Sequence, residues 1–210
     1  MTSQPRLGRK AYFTAAFAIL AARGPEALTI AALCARLRVT KGSFYHHFSG
    51  MPDFVDALLR DWEETFQGMV DETAGLSDPV RRLEATARHI LAMPHETESA
   101  LRAWGFSNPS VGAAVRRMDR AREQTYTASL AMVIDDPVRC QLLAHMGVSL
   151  LIGLQQRERP MDRARLLQIN MEWLQTNIGV TAEVAHPGGE PTVRIAAGSL
   201  PGRARQRSAS

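Results

Sequence analysis

The chain has 210 residues, 45% of them hydrophobic and 22% charged, with a formal net charge of +4. That is long and apolar enough for a buried core and for one large or two small domains, which excludes a chain too short or too polar to fold. The charge is uneven: residues 1–50 hold Arg6, Arg9, Lys10, Arg23, Arg36, Arg38 and Lys41 against the single acid Glu26, while 51–182 is slightly acidic. Cys34 and Cys140 are isolated in apolar helical patterns, which reads as two buried free thiols in a reducing, cytoplasmic setting rather than a disulfide or metal site.

Residues 1–8 read as a basic arm. Arg9-Lys10 followed by the apolar run Ala11 to Ala22 imitates a secretory leader. Phe13, Phe17 and Leu20 share one helical face with Thr14 outside it, so an amphipathic first helix over about 9–23, stopped by Gly24-Pro25, is the better reading. No stretch is expected to be long enough to span a bilayer, and no membrane partner is expected.

Thr29 is placed to cap a short helix carrying Ile30, Leu33 and Leu37, and Thr40 a second one with Phe44 and Phe48 as its apolar edge. Only a tight turn fits between them. The second helix then turns a polar face outward with Lys41, Ser43, Tyr45, His46 and His47, all able to donate hydrogen bonds and none acidic, and with Gly42 allowing close backbone approach. This is the pattern of a DNA recognition helix, and it coincides with the positive end of the chain.

Thr29-Ile30, followed by Val39-Thr40-Lys41-Gly42-Ser43-Phe44-Tyr45-His46-His47-Phe48, resembles the N-terminal signature of the TetR family of bacterial transcriptional regulators, and Ala15 to Gly24 is similar to that family's first helix. The resemblance covers about residues 9–60. It implies that Thr29, Thr40, Lys41, Tyr45 and His47 touch phosphates, whereas Ser43 and His46 suit base edges. Two positions depart from the pattern. Arg38 stands where the family usually has a turn glycine, and Met51 where it often has a lysine opening the next helix.

Downstream, Pro52 opens a long fourth helix with Phe54, Leu58, Trp62 and Phe66. Asp78-Pro79, Asn108-Pro109 and Asp136-Pro137 each pair a capping side chain with a residue pre-set for the first helical turn, marking the starts of helices five, seven and eight. A short sixth helix is expected from about His95 to Trp104. Leu142 to Leu154 is apolar on nearly all sides, so one face is expected to meet a second copy; helix nine, about 162–178, adds a stripe of Leu166, Leu167, Met171, Leu174 and Ile178 to that interface. The resemblance implies the same homodimer, through helices near 137–156 and 162–178. No strand is expected, and 183–210 reads as a disordered tail with Arg203, Arg205 and Arg207.

The expected architecture is therefore all-α, with about nine helices in a helix-turn-helix domain at 1–50 and a helical effector-binding and dimerisation domain at 51–182. Aromatic residues and methionines around a few polar groups single out Trp62, Phe66, Met93, Trp104, Phe106, Met118, Tyr126 and His145 for a small, largely hydrophobic or aromatic effector. The leading expectation is a repressor released from a palindromic operator in double-stranded DNA by that effector, with no cofactor and no metal. The alternatives are an all-helical enzyme, for which no nucleophile elbow or phosphate-binding glycine loop is found, and a DNA-packaging helix-turn-helix protein without an effector.

Overall fold

The computed structural model describes residues 8–179, 182–185 and 192–195. Among them are nine α-helices: α1 (Arg9–Arg23), α2 (Ile30–Leu37), α3 (Lys41–His47), α4 (Met51–Ala74), α5 (Pro79–Ala92), α6 (His95–Trp104), α7 (Pro109–Leu130), α8 (Pro137–Arg157) and α9 (Arg163–Ile178). A 3-10 turn over Pro25–Ala27 follows the stop at Gly24.

The helix starts follow from capping chemistry. Thr29 accepts from the Ala32 amide, Thr40 from Ser43, Asp78 from Arg81, Asn108 from Val111 and Asp136 from both Val138 and Arg139, so each side chain satisfies an amide that the helix itself leaves open. Asp162 does the same for α9 through the Arg165 amide.

The chain divides into two compact units: one takes the described residues up to Gln67 together with Pro94–Met118, the other Gly68–Met93 and the described residues from Asp119 onward. They do not follow a boundary at residue 50. The core of the first unit needs Ala100 and Leu101 of α6 and Val111 and Ala114 of α7, as well as α1 to α4. Its centre is aromatic: Phe48 lies 4.9 Å from Phe54 and 5.2 Å from Phe44 between ring centroids, and Tyr12 and Phe13 complete the cluster. Such pairs contribute about 0.5–1.5 kcal/mol each beyond the area they bury.

The second unit has its own core, drawn from α5, α7, α8 and α9. Here the expectation for α9 needs correction. Leu166, Leu167, Met171, Leu174 and Ile178 are all buried within the chain, so that stripe is internal core and not a free face for a second copy. A stripe read from one helix cannot say which neighbour covers it. The bilayer reading also changes, since α8, at 21 residues, is long and apolar enough to cross a membrane. Its buried face, including Leu143, Ala144 and Leu151, packs in the second core, as a core helix does.

No strand was expected, and the disordered tail was expected from 183, yet residues 182–185 and 192–195 form an antiparallel pair, β1 and β2, in register from Ala182 opposite Ile195 to Ala185 opposite Thr192. β2 runs beside α5. Val184, Val193 and Ile195 favour extended backbone, a short β signal that the overall composition of the segment outweighed in the sequence reading. Arg203, Arg205 and Arg207 lie outside the described residues.

Candidate nucleic-acid interface and ligand cavity

The α2–α3 turn is held from several sides. Arg38 adopts the left-handed conformation, φ 55° and ψ 43°, with its amide donating to the Ala35 and Cys34 carbonyls. The Val39 amide also reaches the Cys34 carbonyl, at 3.0 Å, and the Cys34 thiol faces the Thr40 carbonyl at 3.5 Å. Both cysteines are buried free thiols, and burial pushes each thiol pKa upward. The turn is thus built with arginine doing what glycine does without steric cost. Met51, the other departure, is half-buried against the first core.

From this turn α3 seats Phe44 and, just past its end, Phe48 in the aromatic core, which leaves Thr40, Lys41, Gly42, Tyr45 and His46 exposed. Tyr45 is 56% exposed despite its ring, and no residue of α3 is acidic. Thr29, at the start of α2, is exposed as well. Ser43 and His47 are placed differently, both half-buried against Tyr12: its hydroxyl donates to Ser43 Oγ at 2.9 Å, and its ring centroid lies 5.6 Å from that of His47.

Two residues outside the motif support this face. Tyr12 sits fully buried in α1, and Arg9 lays its guanidinium 4.6 Å above the Phe48 ring while reaching the His47 carbonyl at 3.4 Å. Neither role was legible from the sequence, because each depends on how α1 crosses α3. At the entry to α4, the Ser49 amide donates to Asp53 Oδ2 at 2.8 Å, and this hydrogen bond is the main cause holding the Asp53 carboxyl below the usual carboxylate range.

The second unit contains a cavity of about 630 Å³, open mouth included. Its wall comes from α5, α7, α8 and α9, among them Ile90, Tyr126, Gly147, Leu150, Asn170 and Trp173. Of the eight residues singled out for an effector, only Tyr126 lines it. Trp62, Phe66, Trp104 and Met118 belong to the core of the first unit, Met93 is buried in the core of the second, Phe106 is 90% exposed, and His145 is exposed with Nδ1 2.9 Å from Glu123. The eight do not converge on this cavity, because cores and pockets draw on the same aromatic and sulfur side chains. The wall is instead dominated by leucine, which carries no such flag. Among the described residues no group of three His, Cys, Asp or Glu side chains converges.

A short capped helix pair with a basic, acid-free second helix seated on an aromatic core defines a helix-turn-helix DNA-binding protein. Residues 13–58 match the family model of the bacterial regulatory proteins of the tetR family. No curated protein matches the sequence. Solved structures share the fold: a TetR-family transcriptional regulator from Streptomyces coelicolor at 21% identity and TM-score 0.68, over 80% of this chain and 92% of that one, and one from Agrobacterium tumefaciens at 18% and 0.68, over 80% and 96%. A protein from Saccharomonospora viridis, described as a transcriptional regulator and solved in complex with choline, matches at 19% and 0.62, over 80% and 96%.

Proposed function

We propose that this protein is a homodimeric transcriptional repressor that leaves a pseudo-palindromic operator when a small, largely hydrophobic molecule occupies the cavity of its second unit. The observation that carries the DNA reading is α3, with Lys41, Tyr45 and His46 on an exposed face free of acids. Thr29, Thr40, Gly42, Ser43 and His47 flank that face; in this reading Lys41 and the threonines hold phosphates and His46 reaches a base edge.

Dimerisation is supported by α8. Val138, Leu142, Met146 and Leu150, four residues apart along one side, are 74%, 59%, 45% and 37% exposed. A contiguous apolar row of this kind is stable in water only when covered, and a two-fold partner presents the same row. The domain assignment follows the same lines, with DNA reading at the N-terminus and effector binding and dimerisation in the helices of the second unit. The choline-bound relative supports the idea that this fold accepts a small ligand.

Selection of bound duplexes from a random pool, read with the mass of the complex, tests the proposal. A two-fold-symmetric site with half-sites about one helical turn apart, bound by two chains, is expected. Leu142→Asp together with Met146→Asp is expected to yield monomers that no longer retain it. Asymmetric single sites bound by one wild-type chain would overturn the dimeric reading.

A further inference from the structure

We infer that Tyr12 of α1 is a positioning residue for sequence recognition: its hydroxyl holds that of Ser43, so that Ser43 gives its proton to an acceptor atom on a base edge. This rests on α3 as the recognition helix and brings to recognition a residue from outside the helix-turn-helix pair.

Tyr12 is fully buried, and its hydroxyl lies 2.9 Å from Ser43 Oγ, its hydrogen-bond partner among the described residues. Two hydroxyls can share such a bond in either direction. Burial decides between them. With Ser43 as donor, the Tyr12 proton would be shut away from water without an acceptor, at the full cost of an unmatched group; with Tyr12 as donor, both hydroxyls are matched. Ser43 then keeps its own proton to give. Thr14 and Thr65 turn theirs back on the carbonyls four residues earlier, those of Lys10 and Asp61, at 3.1 and 2.7 Å. Ser43 makes no such bond among the described residues, and it is half-buried rather than enclosed. Accepting one hydrogen bond also polarises a hydroxyl toward donating the next.

Residues three and four apart are neighbours on a helix, so Ser43 stands beside His46 and His47 on α3. It borders the exposed His46 where the outward face meets the core. In a helix-turn-helix docked in the major groove, early residues of the second helix reach base edges. A free serine pairs there with donors and acceptors alike; with one lone pair taken by Tyr12, the Ser43 proton favours acceptors such as guanine N7 or O6, adenine N7 or thymine O4. The Tyr12 ring has a separate task, packing edge-on to Phe44 and Phe48 with centroids 5.9 and 5.7 Å away. Tyr12→Phe therefore keeps that packing and removes only the hydroxyl.

The test uses the full chain. The duplex preferred by the wild-type protein is selected from a random pool, and affinities are measured for it and for each single-base-pair change in it. Wild type, Tyr12→Phe, Ser43→Ala and the double variant are compared, with folding checked by circular dichroism. Tyr12→Phe is expected to reduce discrimination at one base pair per half-site by about threefold to tenfold, the size of one net hydrogen bond, with the rest of the profile unchanged. Ser43→Ala should reduce it at the same base pair, and the double variant should lose no more there, because Tyr12 acts through Ser43. Should Ser43→Ala fail to fold with the buried Tyr12 hydroxyl stranded, the double variant removes both partners and must flatten the same base pair as Tyr12→Phe. An unchanged profile in Tyr12→Phe, an equal loss on every duplex, or losses at that base pair that add in the double variant would each overturn the inference and leave the recognition helix standing. A wild-type chain with no preferred duplex would overturn that reading and the inference with it.

Discussion

Gly112 at the start of α7 lies against the backbone of Gly105 at the end of α6: a Cβ built on Gly112 would stand 2.6 Å from the Gly105 carbonyl oxygen. Such a contact cannot be relieved by a side-chain rotation, because its other side is backbone. Gly112→Ala is therefore expected to destabilise the protein by about 1–3 kcal/mol, the range for overpacking. Gly68→Ala is the control, since its new methyl would meet nothing within 4 Å in mid-α4. It should stabilise by roughly 0.5–1 kcal/mol through helix propensity. Thermal midpoints moving in opposite directions for the two variants would check the argument.

Arg38→Gly addresses the left-handed turn. An L-residue there carries about 1–2 kcal/mol of strain, while glycine costs about 0.5–1 kcal/mol in unfolded-chain entropy. The variant is thus expected to gain up to about 1.5 kcal/mol, read as a higher denaturation midpoint. A lower midpoint would show that the exposed arginine side chain contributes more than its backbone costs.

Lys41→Ala and His46→Ala should separate affinity from specificity. Lys41 is exposed beside the cap of α3, where a phosphate contact is sequence-blind; its loss should weaken all duplexes alike and lower the salt slope by about one ion per contact. His46→Ala should flatten preference at one base pair per half-site, by about 1–3 kcal/mol, with the salt slope unchanged. Binding curves at several salt concentrations against matched and mismatched sites distinguish the two.

Asp53 supplies an acid-sensitive contact at the α3–α4 junction. Its folded-state pKa is lowered, chiefly by the Ser49 amide, so its contribution is fully present above the unfolded carboxylate value of about 3.9 and is lost as pH falls through the depressed folded value. Asp53→Ala should lower the thermal midpoint at pH 6, and the gap to wild type should close as pH falls below about 4. A gap that persists unchanged at pH 3 would assign the effect to something other than ionisation.

Local chemistry was sufficient for much of this protein. A capping side chain before an apolar period of three to four residues fixes where a helix starts, and so Thr29, Thr40, Asp78, Asn108 and Asp136 could be placed from the chain alone. The orientation of α3 was equally legible, because Phe44 and Phe48 define its inward edge and thereby its outward one. What only the tertiary structure decided depends on which elements share a core. Tyr12 meets Ser43 across 31 positions of sequence, the α9 stripe turns inward, and of the eight residues selected for one pocket six divide between two cores while Phe106 and His145 stay exposed. Hydrophobicity is non-directional: it says that a side chain will be buried, and the packing of distant helices determines against what.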